Sequence, residues 1–262
     1  RINKSYVNRS VAYAISAQVN QVMGNWQEAA NMASAAKQSY QLNASQYNEG
    51  FDDMNDSEWI WAMPQQLDQS NYFDIAPHSF TDVNSDGYGL AFWNRDFVAL
   101  FSETDVRNTF TNQFEGEEEN RYNTWTSSKF KFAFTSDIPI IRSAEMLLIE
   151  AEAKARLGDE TEAADLLFEL QKNRDINATP SGNSGESLIE EILVERRKEL
   201  YGENGIEWYD AKRLRVGISR TGNHRIKSAA NLQPDDKKFY LKIPQKEIDA
   251  NNLIDSSVNN NR

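Results

Sequence analysis

The chain has 262 residues, a net charge of −12 and no cysteine, with 39% of its residues hydrophobic and 11% aromatic. That apolar content can bury a sizeable core, as one large domain or two small ones, and a single domain is the simpler reading. The negative balance argues against a nucleic-acid binder, because affinity for phosphate backbones comes from Lys and Arg, and the missing thiols exclude thiolate catalysis and cysteine metal sites. There is no apolar run of about 18 residues, so no segment is predicted to span a bilayer, and the first residues lack the charged and apolar blocks of a signal peptide.

Tyr6 to Met23 places Ala12, Ile15, Val19 and Val22 three and four apart, which predicts a helix with one apolar face. Gly24-Asn25 follows as a hinge: Gly takes positive φ cheaply at a helix end, and Asn can cap the helix after it. That helix, from Trp26 to about Tyr40, carries Ala29, Ala30, Ala33 and Ala36, small residues that let antiparallel helices approach closely. Residues 41–138 are of another kind, with Asn, Asp, Gly and Ser interleaved with rings such as Phe51, Tyr72, Tyr88, Phe92, Trp93, Tyr122 and Trp125. They read as long loops with a few short helices or strands, and loops on a rigid scaffold are where function concentrates. Within them Trp59 and Trp61 alternate in a strand-like run, so at least one is expected in the core.

Farther on, Ile140–Leu157 is predicted as an apolar-faced helix through Met146, Leu147, Ile149, Ala151 and Ala153, followed by Gly158-Asp159 and a helix to about Arg174. The two hinges align without gaps, Met23-Gly24-Asn25-Trp26-Gln27-Glu28-Ala29-Ala30 on Leu157-Gly158-Asp159-Glu160-Thr161-Glu162-Ala163-Ala164, the core of a tetratricopeptide pattern. Separated by so long an insertion, the hairpins are not expected to form a continuous solenoid. Ser187-x-x-Glu190 predicts a capping box for a further helix through Ile189, Ile192, Leu193 and Leu200. Its charged interior, Glu195–Glu199, is read as scaffold, with Arg196 or Arg197 pairing with Asp210. Lys212, Arg213 and Arg215 are read as answering nearby acids. Phe239–Pro244 is expected to be extended and the tail 251–262 to be surface coil.

Catalysis finds little support. His78 and His224 read as surface loop residues, no nucleophile elbow or triad setting is present, and the Glu117–Glu119 run reads as a solvated cluster. Asp82-Val83-Asn84-Ser85-Asp86-Gly87 matches the first half of a calcium loop, with Asp82, Asn84 and Asp86 as ligands. Trp93 stands where the bidentate Glu belongs, which excludes a full EF-hand and leaves the shell to be closed by Asp96 or by a residue from elsewhere. The strongest candidates for binding are Tyr72, Tyr88, Trp93 and Trp125, flat rings in polar company on which the C–H face of a pyranose can stack.

Several motifs, in order, resemble the SusD/RagB family of outer-membrane nutrient-binding lipoproteins: Asp137-Ile138-Pro139-Ile140-Ile141-Arg142-Ser143-Ala144-Glu145 running to Ala153, Ile192-Leu193-Val194-Glu195-Arg196-Arg197-Lys198-Glu199-Leu200 with Trp208-Tyr209-Asp210, Ile243-Pro244-Gln245-Lys246-Glu247-Ile248, and Trp26-Gln27-Glu28-Ala29-Ala30. The resemblance implies an all-α fold of tetratricopeptide-like hairpins with long irregular loop insertions and few short strands. It implies one domain over residues 1–262 lacking the family's N-terminal part, divided into a hairpin (1–40), an aromatic loop region (41–138), a hairpin and following helix (139–215) and a C-terminal coil with a short extended segment (216–262). It further implies a non-catalytic, lipid-anchored protein of the outer membrane's outer face, its anchor outside this chain, that captures oligosaccharides or peptides for a SusC-like TonB-dependent transporter. No cofactor is implied beyond the candidate calcium. The alternative is a tetratricopeptide adaptor that binds a peptide or partner protein in its helical groove.

Overall fold

The computed structural model describes residues 3–68, 77–82, 89, 91–114, 121–226, 231–255 and 257–261. The predicted hairpins are both present. Helix α1 (Arg9–Met23) is capped by Asn8, whose side chain accepts the Val11 N–H, and ends at Gly24 with φ 74°. Helix α2 (Trp26–Lys37) follows, although the Asn25 side chain makes no capping bond to it. The α1 face turned to α2 is not the expected one: Val11, Ala14, Ala17 and Gln21 are buried, whereas Val19 and Val22 are 50% and 63% exposed. The partner seam explains this. Ala29, Ala30, Ala33 and Ala36 of α2 are all buried, and helices meeting through alanine come too close for bulkier side chains between them.

The second hairpin is α6 (Ser143–Leu157) and α7 (Glu160–Arg174), hinged at Gly158 with φ 88°. A Cβ at Gly158 would meet no atom, so only the left-handed backbone disfavours other residues there. Gly158→Ala should therefore lower the urea-unfolding free energy by about 1 kcal/mol, and an unchanged midpoint would contradict a conformational role for this glycine.

Although the insertion separates them in sequence, the two hairpins stack directly. Met146, Ile149 and Ala153 on one side of α6 share a buried cluster with Val11, Ala14, Ala29 and Ala33. On its other side Leu147, Leu148 and Ala151 pack with Ala163, Leu167 and Leu170 of α7 and with Leu188 and Ile192 of α8 (Gly185–Leu200). A helix buried on so many sides is the centre of the array, and its few acids are answered by neighbours: Gln21 Nε2 donates to Glu152 Oε2 at 2.8 Å and Gln18 to Glu145 at 3.0 Å.

The insertion returns to the stack because β1 (Trp59–Met63) pairs antiparallel with β4 (Ile138–Arg142). Residues 140–142, expected in the helix, are thus strand, with Ile141 paired to Trp61 and Arg142 to Trp59. Trp59 is fully buried, as foreseen for one of the two tryptophans, and its Nε1 donates to Gln46 on α3 (Gln46–Glu49) at 2.9 Å. A second small sheet joins β2 (Phe110–Asn112) to β3 (Trp125–Ser127). His78, on α4 (Pro77–Thr81), is not a surface residue: it is buried, and its Nε2 donates to the Phe51 carbonyl at 2.6 Å. Helix α8 begins ahead of the expected Ser187 box, with Ser184 at its N-cap and no side-chain cap bond.

Beneath the insertion lies an ionic lattice. Glu199, at the end of α8, receives Arg142 Nη1 and Arg174 Nη2 at 2.9 Å on one oxygen, and Arg174 Nε at 3.1 Å and Arg107 Nη1 at 3.2 Å on the other. Glu58 is held by Arg142 and by Arg174, and Glu203 by Arg142 Nη2 at 2.8 Å and Lys129 Nζ at 2.6 Å. Burial opposes the charge of Glu199, yet Arg174, Arg142 and Arg107 hold its carboxyl well below the usual range. Burial prevails at Lys129, whose pKa falls to about 8 despite Glu203. Of the remaining expectations about charge, Arg196 pairs with Asp210 at 2.9 Å, Arg213 with Glu152 at 2.8 Å and Arg215 with Asp235 at 3.3 Å, whereas Lys212 lies 4.9 Å over the Tyr240 ring, and Glu117–Glu119 lie outside the described residues.

Candidate ligand-binding cleft

The clearest recess on the loop side is a cleft of about 660 Å³ between α5 (Arg95–Val98), the C-terminal end of α8, α9 (Ile206–Arg213) and the loop 218–224. Each wall has a local cause. Asn94 caps α5, its side-chain oxygen accepting the Asp96 N–H at 2.8 Å while its amide donates to the Thr221 carbonyl at 2.7 Å. The Thr221 hydroxyl donates to Asp96 at 2.6 Å, and the Arg95 N–H donates to Asn223 at 2.9 Å. These bonds fasten loop 218–224 to the start of α5. Gly222 lets them form: it has φ 59°, and a Cβ there would lie 2.5 Å from the Asn94 side-chain oxygen.

Trp93 lies in this cleft, but its ring is largely committed to packing. It meets Tyr201 edge-on at 4.8 Å and Phe97 and Phe110 at 5.9 and 6.0 Å, and the residue is half-buried. The Trp93 backbone N–H donates to the Trp125 carbonyl at 2.8 Å, so two sequence candidates are joined through the backbone, with Trp125 holding Trp93 in place and not itself lining the recess. Tyr72 and Tyr88 lie outside the described residues.

Trp208, on α9, was missed as a site residue. Gly205, left-handed at φ 68°, starts α9 so that Trp208 lines the cleft opposite Phe92 and Trp93, with its ring backed by Phe239 at 4.9 Å. A Trp just after a Gly-led helix start was the available signal. The polar lining includes Asn94, Asp96, Thr221 and His224, with the ionic side chains of Arg197, Glu203, Glu207 and Arg220 beside them. Nδ1 of His224 accepts the Ile226 N–H at 3.1 Å, which places the proton of the neutral ring on Nε2.

Asp82 is buried, and its carboxylate accepts the Phe132 N–H at 2.7 Å, which ties α4 to the chain before β4. Asn84 and Asp86 lie outside the described residues. Among the described residues no group of three or more His, Asp or Glu side chains is arranged to hold a metal ion. A larger groove of about 850 Å³ runs over α2, α6 and α7, but Lys172 Nζ already sits 5.6 Å over its Phe168 ring.

Stacked hairpins carrying a loop-built cleft define a tetratricopeptide-like helical scaffold. Comparison with known proteins gives the family. A sequence profile described as the SusD family matches residues 126–261, and the chain belongs to that family. It is 35% identical over 95 residues to SusD-like protein P38 of Formosa agariphila, covering 33% of this chain and 19% of that one. The crystal structure of a SusD-like carbohydrate binding protein from Bacteroides vulgatus superposes with TM-score 0.80 at 26% identity, over 96% of this chain and 60% of that one. Surface glycan-binding protein A of Bacteroides uniformis, 22% identical, shares the fold with TM-score 0.72 over 95% of this chain and 61% of its own. The chain thus spans about 60% of the length of these solved structures.

Proposed function

We propose that this protein binds oligosaccharides without transforming them, in the cleft between α5 and α9. The observation that carries the reading is the juxtaposition of Phe92, Trp93 and Trp208 with Asn94, Asp96, Thr221 and His224 around one recess. A sugar ring offers an apolar C–H face and a rim of hydroxyls, and this lining offers rings for the first and hydrogen-bonding groups for the second. Catalysis is not part of the proposal: the carboxylates of the cleft are already engaged, Glu203 with Arg142 and Lys129 and Glu207 with Arg197. The relative from Bacteroides vulgatus is a SusD-like carbohydrate binding protein, which supports the same reading. Display at the cell surface and delivery to a SusC-like transporter of the outer membrane belong to the proposal through the family resemblance.

A glycan array followed by isothermal titration tests it. Trp208→Leu keeps an apolar side chain against Phe239 but removes the flat face, and it should weaken binding about tenfold or more with little change in melting temperature. Full affinity in that variant would remove the cleft from consideration.

A further inference from the structure

Charge at the mouth of the cleft is distributed unevenly for a chain of net charge −12. Each carboxylate lining it has a partner. Asp96 accepts the Thr221 hydroxyl and lies 3.5 Å from Arg95 Nε, Glu207 is paired with Arg197 at 2.7 Å, and Glu203 is held by Arg142 and Lys129. Two donors lie without such an answer: His224, which lines the cleft, and Arg225, which follows it in the chain and is not itself part of the lining. Arg225 is exposed and its guanidinium lies 5.2 Å over the ring of Tyr122, with no ion pair to a carboxylate among the described residues. Tyr122 in turn meets Phe92, which lines the cleft, edge-on at 6.3 Å. Next to Arg225, His224 lines the cleft with Nδ1 occupied by the Ile226 N–H, so its free donor is Nε2.

Asn223 fixes these neighbours: its side-chain oxygen receives the Arg95 N–H at 2.9 Å and its amide donates to the Arg121 carbonyl at 2.7 Å. The donors therefore sit on a loop that is bonded to the start of α5 and to the chain before β3. A guanidinium spread over a ring keeps its N–H edge free for a planar or tetrahedral oxyanion, and an imidazole N–H beside it adds a second donor.

Resting on the carbohydrate reading, we propose that the cleft selects acidic oligosaccharides, sugars bearing carboxylate or sulfate groups, and that Arg225 and His224 receive the anionic substituent. The aromatic lining takes the sugar face, and the rim supplies charge that a neutral glycan does not use. Raising salt screens such a contact and leaves stacking largely intact.

The test is isothermal titration of the wild-type protein with oligogalacturonate, a sulfated galactan oligosaccharide and a neutral malto-oligosaccharide of similar length. Arg225→Gln is compared with Lys246→Gln, an equal loss of charge away from the cleft. Expected is a preference of about tenfold or more for at least one acidic sugar. Arg225→Gln and about 0.5 M salt should largely abolish it, and Lys246→Gln should leave it unchanged. Whether the uronate or the sulfated probe binds identifies the anion. Neutral sugar bound as tightly as both acidic ones, with Arg225→Gln unaltered, overturns the acidic assignment and leaves the carbohydrate reading standing. Absence of binding to every sugar of the array overturns both.

Discussion

Glu199→Gln should lower the unfolding free energy by about 3–5 kcal/mol, because it removes the shared anion of a buried lattice and keeps its cations in place. Both oxygens of Glu199 are in use: one takes Arg142, Arg174 and the Tyr47 hydroxyl at 2.9, 2.9 and 3.0 Å, the other Arg174 and Arg107 at 3.1 and 3.2 Å. Glutamine preserves the shape but turns one acceptor into an N–H₂ donor facing guanidinium donors. Arg174 keeps Glu58 alone of its two carboxylate partners, and Arg142 keeps Glu58 and Glu203 of its three. By contrast Arg197 and Glu207 are both about half exposed, and removing that pair should cost less than about 1 kcal/mol. Urea unfolding of the two variants separates the cases: the midpoint should fall markedly for Glu199→Gln with little change in slope, and hardly at all for Arg197→Ala. A loss below about 1 kcal/mol at Glu199 would show that the lattice is hydrated and weak.

The hinges were legible in the sequence because they are local. A residue that must adopt positive φ is glycine or carries a penalty, and Gly24 and Gly158 have φ 74° and 88°. The lattice was not legible, because its members stand at positions 58, 107, 142, 174, 199 and 203 and come together only when α6 is enclosed by α2, α7 and α8. Read alone, Glu195–Glu199 is a charged helical run; that Glu195, Arg196 and Glu199 are buried and Arg197 is not depends on what packs against each face. The stacking of the hairpins was missed for the same reason, since β1 and β4 close the insertion and sequence separation says nothing about that closure. In the cleft, Trp93 stands out in the sequence by its polar neighbourhood, whereas Trp208 shares its recess only because α9 starts at Gly205. The exposed stripe of α1 shows the limit of periodicity, which locates a helix better than it chooses between adjacent faces of similar hydrophobicity.

Acidification should reveal the other large effect, centred on His78. Burial pushes its pKa from the ordinary 6.5 down to about 4, with the Phe51 carbonyl and Asp82 acting weakly in the opposite sense. The unfolded chain therefore takes up a proton below about pH 6.5, and the folded chain does so only near pH 4. Between these values the unfolded state binds more protons, so stability is fully present above pH 6.5 and declines as pH falls towards 4. A shift of this size is worth about 3 kcal/mol. Two other sets of groups differ in direction. Burial opposes the charge of Glu203, Asp105 and Glu152, but their arginine and lysine partners hold them below the usual carboxylate range, so their contribution is lost only at lower pH. Glu145 and Asp52 are raised by burial and partly offset the loss on acidification. His78→Gln isolates the histidine, because a glutamine amide can still donate to the Phe51 carbonyl and does not titrate. Urea midpoints measured at pH 7, 5.5 and 4.5 should fall more steeply in the wild type than in the variant, and parallel slopes would mean that His78 is protonated in the fold at little cost.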